Sequence, residues 1–475
     1  MKNFPEKFYG CFFFFLLLHG VVHGQITFQK TFGGSKHDFG LSVEQTSDGG
    51  YILFGETESF GQGAWDFYLV KTDQHGQKLW DKTFGRENYD LGLSVQQTRD
   101  GGYILCGAFS GFGNDSVALI KTDAQGNELW TKLYRGSVIR DVGRFVQQTT
   151  DNGFIIAGFN GGHLEENVLL IKTDSDGNEE WIKTYERIGS QIGNGVKQTS
   201  DGGYIIVGQT NHRTLTGSDV YLLRIAPAGD TLWTKTYGTT DAQTGRSICI
   251  APDGGFVILG DNQSNVQDLL MIKTDDSGHE EWSKNFGGDG QDIGYCIQLT
   301  SDGGYILSGT KYDIDNHSSD MYAVKTNSAG EMEWDKVYPK NQISDGVSVQ
   351  QTTDHGFVIL GTTTRIKGTD SESDLYLVKT DSLGVTSSAP NPGPGISISA
   401  FPNPFTEFTL IQFENSAHLA YTLVLFDTQS RLIRKIEKVT DSEIPIDKEN
   451  LAPGMYIFQL EKDEKIVATG KLIFD

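Results

Sequence analysis

The stretch Asp48-Gly49-Gly50-Tyr51-Ile52-Leu53 decides the fold, because variants of it recur through most of the chain. An Asp-Gly pair next to an apolar run is typical of a tight hairpin turn, since glycine adopts the positive φ that such turns require. Later copies follow at intervals of about 50 residues, a period that indicates a repeat architecture. They begin at Asp100, Asp151, Asp201, Asp253, Asp302 and Asp354.

Each copy contains four short apolar runs separated by turn residues, and such runs predict four β-strands. In the second copy the runs cover residues 93–98, 102–107, 117–122 and 128–134. Four antiparallel strands in a unit of this length describe one blade of a β-propeller. The sequence therefore predicts an all-β protein whose main domain, residues 25–384, is a seven-bladed β-propeller.

The fourth strand carries a tryptophan in six of the seven copies, and the seventh copy stops at Gly384 without one. The missing strand is found at the other end of the domain, where residues 26–32 match residues 78–84 in pattern and Phe28 takes the tryptophan position. We expect this first strand to complete the last blade and to close the ring. We expect the repeated tryptophans to pack between blades. They are Trp80, Trp130, Trp181, Trp233, Trp282 and Trp334.

The two ends of the chain differ from the repeats. Lys2 and Lys7 precede an apolar run over residues 11–22 and small Gly24 follows it, a pattern that predicts a signal peptide over residues 1–24. No segment is long and apolar enough for a comfortable membrane span. Residues 385–396 are rich in Pro, Gly and Ser and predict a linker.

The repeats read as W-x-K-T-[YF]-G, then D-x-G-x-S-V-Q-Q-T-x-D-G-G-Y-I-L-x-G, and resemble the bacterial extracellular β-propeller repeats of the SBBP type. The resemblance supports the propeller fold and implies little about function. Residues 397–475 resemble the type A C-terminal sorting domain of the type IX secretion system. The segments that match are Phe401-Pro402-Asn403-Pro404-Phe405, Leu451-Ala452-Pro453-Gly454-Met455-Tyr456 and Gly470-Lys471-Leu472.

This second resemblance implies a small β-sandwich that addresses the protein to the outer-membrane translocon. It implies passage through the periplasm and a final place outside the cell or at its outer surface. The sorting-motif residues that it names are Pro402, Asn403, Pro404, Gly454, Tyr456, Gly470 and Lys471.

Composition and motifs narrow the classes of function. The formal net charge is −23, so nucleic acid and anionic membrane surfaces are not expected partners. Cys106, Cys249 and Cys296 have no spacing typical of a disulfide framework or a metal site. The sequence has no HExxH, P-loop or GxSxG motif, and we assign no catalytic residue and no cofactor. Asp313, Asp315 and Asp320 lie in one acidic loop that is a calcium candidate, although solvated acidic loops are commoner.

The loops differ between the two faces of the predicted disc. Turns between strands one and two, and between three and four, are short and nearly identical. The other loops vary and share the opposite face, and variable loops on a fixed scaffold usually carry binding specificity. Trp65, the one tryptophan outside the repeat pattern, is the leading candidate for a ligand contact, with loop packing as the alternative. The other candidates are Phe60, His163, His212, Arg213, Tyr312 and Asp315, together with Asp38, Asp90, Asp141 and Asp292 near the central channel.

An acidic channel mouth would favour cationic or hydroxyl-rich ligands. We expect an exported, non-catalytic binding or adhesion module with an extracellular glycan or protein ligand. One alternative is a polysaccharide-acting hydrolase or lyase, which would require convergent carboxylates on the variable face. The other is a structural component of the cell surface. Fold alone does not choose between these three hypotheses.

Overall fold

A computed structural model describes most of the chain, and it divides at residue 386 into two compact units. The described residues are 25–110, 115–136, 140–162, 165–186, 189–211, 217–238, 241–263, 267–368, 370–386, 398–401, 403–413, 415, 419–427, 431–448, 451–462 and 465–474. The predicted signal peptide, and the linker from residue 387 onward, lie outside them.

The first unit consists of antiparallel strands grouped into seven blades, preceded by β1 (Phe28–Phe32). Blade 1 comprises β2 (Asp38–Gln45), β3 (Tyr51–Thr57), β4 (Asp66–Thr72) and β5 (Lys78–Phe84). Blade 2 comprises β6 (Asp90–Gln97), β7 (Tyr103–Ser110), β8 (Asp115–Thr122) and β9 (Glu128–Tyr134). Blade 3 comprises β10 (Asp141–Gln148), β11 (Phe154–Gly162), β12 (Glu165–Thr173) and β13 (Glu179–Tyr185). Blade 4 comprises β14 (Ser190–Gln198), β15 (Tyr204–Asn211), β16 (Ser218–Ile225) and β17 (Thr231–Tyr237).

The remaining blades follow the same plan. Blade 5 comprises β18 (Gln243–Ile250), β19 (Phe256–Gln263), β20 (Gln267–Thr274) and β21 (Glu280–Phe286). Blade 6 comprises β22 (Ile293–Leu299), β23 (Tyr305–Asp313), β24 (Ser318–Thr326) and β25 (Met332–Tyr338). Blade 7 comprises a split inner strand, β26 (Ile343–Ser344) and β27 (Ser348–Gln351), then β28 (Phe357–Lys367) and β29 (Asp370–Thr380). The first strand of every blade contacts its counterparts in the neighbouring blades, so these inner strands form a ring.

The ring is closed by the first described strand. β1 pairs antiparallel with β29 from Phe28↔Lys379 to Phe32↔Leu375, which gives blade 7 its outer strand. The hydroxyl of Tyr376 donates to Oε1 of Gln29 at 2.8 Å across the same pair. The predicted seven-bladed fold and its closure by the N-terminal strand are confirmed.

The core lies between adjacent blades. Trp80 of blade 1 packs edge-on against Tyr103 of blade 2, with ring centroids 6.0 Å apart. Phe28 makes the matching contact between blade 7 and Tyr51 of blade 1, at 5.9 Å. Its ring also occupies the space over Gly76, where an added Cβ would come within 2.5 Å of it. The inter-blade role predicted for the tryptophans and for Phe28 is therefore confirmed.

The repeated Asp-Gly turns are held by an ion pair that sequence reasoning missed. In blade 1 the carboxylate of Asp48 accepts hydrogen bonds from the backbone N of Gly50 at 3.0 Å and from Thr46. It also pairs with the buried ammonium of Lys71 at 3.0 Å. The other blades repeat this pair in Lys121–Asp100, Lys172–Asp151, Arg224–Asp201, Lys273–Asp253, Lys325–Asp302 and Lys379–Asp354. The aspartate that is repeated in all seven blades therefore stabilises the turn between the first two strands of each blade.

The second unit is a two-sheet sandwich. One sheet comprises β30 (Ile398–Phe401), β31 (Phe408–Phe413) and β34 (Glu443–Asp447). The other comprises β33 (Leu432–Val439), β32 (Tyr421–Asp427), β35 (Gly454–Lys462) and β36 (Lys465–Phe474), in that order. Both sheets contribute to one hydrophobic core, in which Ile411, Leu423 and Leu460 are almost fully buried. The predicted β-sandwich is confirmed.

Candidate ligand-binding face

The inner strands of blades 1 to 6 contain a β-bulge at the same place. In blade 1 the pairing of β2 with β3 shifts between Gly40 and Ser42, so that Leu41 is the extra residue. The same shift occurs in blades 2 to 6. A bulge leaves one residue out of the ladder and re-aims its side chain, and bulges are common beside functional sites. The inner strand of blade 7 is interrupted at the same level, between Ser344 and Ser348.

The glycine before each bulge is required by a close contact with the neighbouring blade. A Cβ on Gly40 would lie 2.5 Å from the carbonyl oxygen of Gly361 in blade 7, and one on Gly92 would lie 2.5 Å from that of Gly55. On the partner strand, a Cβ on Gly158 would lie 1.9 Å from the carbonyl oxygen of Val142. Because glycine has no Cβ, the inner strand can come close to the neighbouring blade and to its paired strand here. This close contact fixes the direction in which the bulged residue projects.

The seven bulge-level residues line one opening, at the end of the central channel on the variable face. We call this opening the mouth. It has an empty volume of about 1000 Å³, and Leu91, Arg140, Val142, Phe159 and Glu166 also line it. The seven residues from blade 1 to blade 7 are Leu41, Leu93, Arg144, Asn194, Arg246, Tyr295 and Val347. This position is apolar in blades 1, 2 and 7 and cationic in blades 3 and 5. The following position varies as well, being Ser42 in blade 1 and Phe145 in blade 3.

The cationic part of the mouth lies in blades 3 to 5. Nη1 of Arg144 donates to Oδ1 of Asn194 at 2.7 Å, and Nδ2 of Asn194 donates to a backbone oxygen at 2.7 Å. Arg246 is paired with the buried carboxylate of Asp261 at 2.5 Å. Desolvation by the surrounding side chains and the nearby Arg246 lower the pKa of the Arg144 guanidinium, and the carboxylate of Glu166 acts in the opposite direction. Like charges are therefore held together at this side of the mouth.

The candidate aspartates near the channel do not form an acidic mouth. Asp38, Asp90, Asp141 and Asp292 are fully buried. Oδ2 of Asp38 accepts hydrogen bonds at 2.7 Å from the backbone N of Gly34 and from Oγ of Ser59, which joins two variable loops. Burial raises the pKa of Asp90 and that of Asp292. The expectation of an acidic mouth is wrong, because these four carboxylates are buried and do not face the opening.

Trp65 lies in a stack of aromatic rings on the same face. Its ring is parallel to that of Phe39 within 4°, with centroids 5.1 Å apart, and Tyr89 lies on it at 6.3 Å. His37 completes the group at 6.5 Å from Trp65. Because neighbouring rings cover Trp65, the most accessible ring is Tyr89, which is 57% exposed. Sequence reasoning missed Tyr89, and direct contact of Trp65 with a ligand stays a prediction.

The remaining candidates are scattered over the face or fall outside the described residues. Phe60 is 39% exposed and its ring lies 5.3 Å from that of Tyr68. Tyr312 lies in a separate cleft of blade 6, where its backbone N donates to Asp292 at 2.9 Å. His163, His212 and Arg213 lie outside the described residues.

The calcium candidates share the blade 6 cleft with Tyr312. The carboxylate of Asp313 accepts hydrogen bonds from the backbone N of Asp315 at 2.9 Å and from the Asn316 amide at 2.8 Å. Burial raises the pKa of Asp320. The described residues contain no group of three or more His, Cys, Asp or Glu that could hold a metal ion. The described contacts of Asp313 form a hydrogen-bonded turn, and calcium binding by this loop stays a prediction.

Below the mouth, the inner strands are linked around the axial channel by side chains. Oγ of Ser94 accepts from the backbone N of Val146 in the next blade at 3.3 Å, and Gln96 accepts from Gln148 at 2.7 Å. Glu44 takes the Gln96 position in blade 1, and burial raises its pKa to about 7. These contacts link neighbouring blades around the channel.

In the second unit the sorting-motif residues are placed by the sandwich. Nδ2 of Asn403 donates to the carbonyl oxygen of Lys471 at 2.7 Å, and Oδ1 of Asn403 accepts from the backbone N of Ile473 at 2.8 Å. Gly470 faces the ring of Phe458, which an added Cβ would approach to 2.2 Å. Pro404 follows Asn403 at a cis peptide bond. Gly454 begins β35, and Pro402 lies outside the described residues.

Tyr456 completes the motif, since its hydroxyl donates to the carbonyl oxygen of Ala452 at 2.6 Å. Residues 399–475 match the family described as the secretion system C-terminal sorting domain. This segment is a type IX sorting domain. It indicates export to the cell surface or secretion. The resemblance of the propeller repeats to the SBBP type stays a prediction, as does the signal peptide.

Comparison with solved structures gives distant likenesses. A puromycin hydrolase is 13% identical with a TM-score of 0.48, covering 80% of this chain and 59% of its own. A fungal alcohol oxidase in complex with copper is 10% identical with a TM-score of 0.45, covering 94% and 98%. Sqt1 from Chaetomium thermophilum is 10% identical with a TM-score of 0.43, covering 81% and 97%. Likeness at this level says nothing of function.

No curated protein matches the chain. Among the residues that the structure describes, none form a helix with the length and apolar character of a membrane span.

Proposed function

We propose that the protein is an exported binding protein whose ligand enters the mouth on the variable face of the propeller. One observation carries the proposal: seven side chains at one level of the inner strands line the mouth, and they differ in charge and polarity from blade to blade. The repeated fold does not require these seven side chains to differ, whereas binding of an asymmetric ligand would require it. The aromatic stack ending in Tyr89 lies on the same face and extends the surface.

Binding is proposed ahead of polysaccharide cleavage because of the carboxylates present. Glycoside hydrolysis commonly requires two carboxyl groups facing one substrate bond. Of the described residues that line the mouth, Glu166 is the one carboxylate. Asp261 lies close by, but it is buried and paired with Arg246.

The test is a binding array of extracellular glycans and proteins, probed with the chain lacking residues 1–24. We expect a ligand whose binding is lost in Tyr295→Ala and weakened in Trp65→Ala. The control is Arg99→Gln, which changes an exposed side chain in a turn on the opposite face. Ligands that bind Tyr295→Ala and the unchanged protein equally would place the site elsewhere, and cleavage of an arrayed glycan would favour an enzyme.

A further inference from the structure

Arg144 is an exposed cation with most of its donors free for a ligand. A guanidinium has five N–H donors, and the donation of Arg144 to Asn194 uses Nη1 alone. Within the described part of the chain, no carboxylate lies within ion-pair distance of Arg144. The other two arginines of the mouth differ, because Arg140 pairs with Asp115 at 3.0 Å and Arg246 pairs with Asp261.

The positions of the arginines hold positive charge at one side of the mouth. The guanidinium carbons of Arg140 and Arg144 both lie 5.3 Å from the ring centre of buried Phe159. Arg246 lies 5.2 Å from the ring centre of Tyr295. An arginine fork matches a carboxylate in two parallel hydrogen bonds, and such a ligand would relieve the repulsion between these cations.

The charge count limits the ligand to a small anion. Asp115 and Asp261 offset Arg140 and Arg246, and Glu166 also lines the mouth, where it accepts from Oγ of Ser190 at 3.2 Å. Three arginines and three carboxylates leave the local set without net charge, so a carboxylate would bind through the free donors of Arg144 and not through an excess of positive charge. The whole chain carries −23, which repels polyanions. A single carboxylate fits this balance, whereas a chain of phosphates does not.

The opposite side of the mouth is apolar. Leu41, Leu93 and Val347 project from the bulge level of blades 1, 2 and 7, and the ring of Tyr295 lies between them and Arg246. All four are only partly buried, so an apolar ligand group that covered them would remove their surface from water.

We propose that the mouth binds a carboxylate that stands next to an apolar group, with Arg144 on the carboxylate and Leu41, Leu93, Val347 and Tyr295 on the apolar group. This rests on the proposed function, because it assigns the ligand class of the same site. Two sources offer this chemistry: the C-terminus of a peptide that ends in an apolar residue, and a free medium-chain fatty acid.

The experiment is calorimetric titration of the chain lacking residues 1–24 with three probes. They are N-acetylated Ala-Ala-Phe with a free carboxylate, the same tripeptide as its C-terminal amide, and octanoate. We expect at least one acid to bind, and the amide to bind at least about tenfold more weakly than the peptide acid if the peptide is the source. Arg144→Gln should lower the affinity for the acid that binds about tenfold, and Leu41→Ser should lower it as well.

Arg99→Gln is the matched control, since it removes the same charge on the opposite face and should leave binding unchanged. Tryptophan fluorescence shows whether each variant keeps the folded propeller. Binding of octanoate alone supports the proposal with the fatty acid as source. No binding of either acid, equal binding of acid and amide, or full binding by Arg144→Gln would overturn it. If an arrayed ligand is nevertheless lost in Tyr295→Ala, the binding function stands and only the carboxylate assignment fails.

Discussion

Closure of the ring by β1 is tested most sharply at Phe28, the residue that stands where six other blades carry tryptophan. Its ring packs on Tyr51 and over Gly76 of blade 1, so replacing it removes a contact between the last blade and the first. A phenylalanine buries about 200 Å² when fully enclosed, and a half-buried one about half of that. At about 25 cal/mol per Å², Phe28→Ala should lower the free energy of unfolding by about 2.5 kcal/mol.

The assay is urea unfolding of the chain without residues 1–24, followed by tryptophan fluorescence. All seven tryptophans lie between residues 65 and 334, so the signal reports the propeller and not the sorting domain. We expect one cooperative transition at a lower urea midpoint with an unchanged slope, because a closed ring unfolds as one body. Phe28→Trp should keep the midpoint, since the other blades accept tryptophan at this position.

Leu79→Ala is the control. Leu79 is 58% exposed on the outer strand of blade 1, so its replacement should change the urea midpoint little. An unchanged midpoint for Phe28→Ala would refute the reasoning, as it would show that the contact between the first and last blades does not hold the ring together. A change as large in Leu79→Ala would show that the assay does not report closure.

Further predictions follow from single contacts. Gly158→Ala should cost about 1–3 kcal/mol, because its Cβ would meet a carbonyl oxygen of the adjacent strand, while Gly288→Ala should be nearly neutral in the same unfolding assay. Although burial opposes ionisation, hydrogen bonds from Thr300, Lys325 and the turn lower the pKa of Asp302 to about 2. Its contribution to stability should be complete above about pH 4 and fade as pH falls towards 2, an effect reduced by solvent exposure and absent in Asp302→Asn. Asn403→Ala should cost about 1–3 kcal/mol in the sorting domain, measured by amide exchange in β36. Removing residues 396–475 should leave the propeller folded and stop export; a truncated protein found in the medium would contradict this.

Most of the fold could be predicted because its determinants are local and repeated. The Asp-Gly turn sets each hairpin through the φ of Gly49 and its equivalents, and short apolar runs set the strands. Closure could be predicted because Phe28 aligns with the tryptophans. The buried Lys71 that pairs with Asp48 was missed, since a lysine in an apolar run normally indicates an exposed position.

The candidate site could be predicted only in part, because it depends on contacts between segments distant in sequence. The variable face was identified from loop lengths, but the bulge at Leu41 arises from how two glycine-containing strands pair. The sequence signal for this bulge is the variable residue that follows the glycine in the pattern D-x-G-x-S-V. Asp38 was assigned to an acidic mouth because its burial depends on Ser59 in another loop. Trp65 could be placed on this face from its loop, but the rings of Phe39 and Tyr89 that pack on it could not be predicted.

The central claim, that a ligand enters the mouth, is tested most directly by hydrogen–deuterium exchange of the chain lacking residues 1–24. The measurement compares the free protein with its complex with the tightest ligand found by array or titration. We predict slower exchange at the bulge level of the inner strands, around residues 39–42, 142–145 and 293–296, with no change in the Asp-Gly turns of the opposite face. Slower exchange confined to those turns, around residues 47–50 and 99–102, would contradict the account.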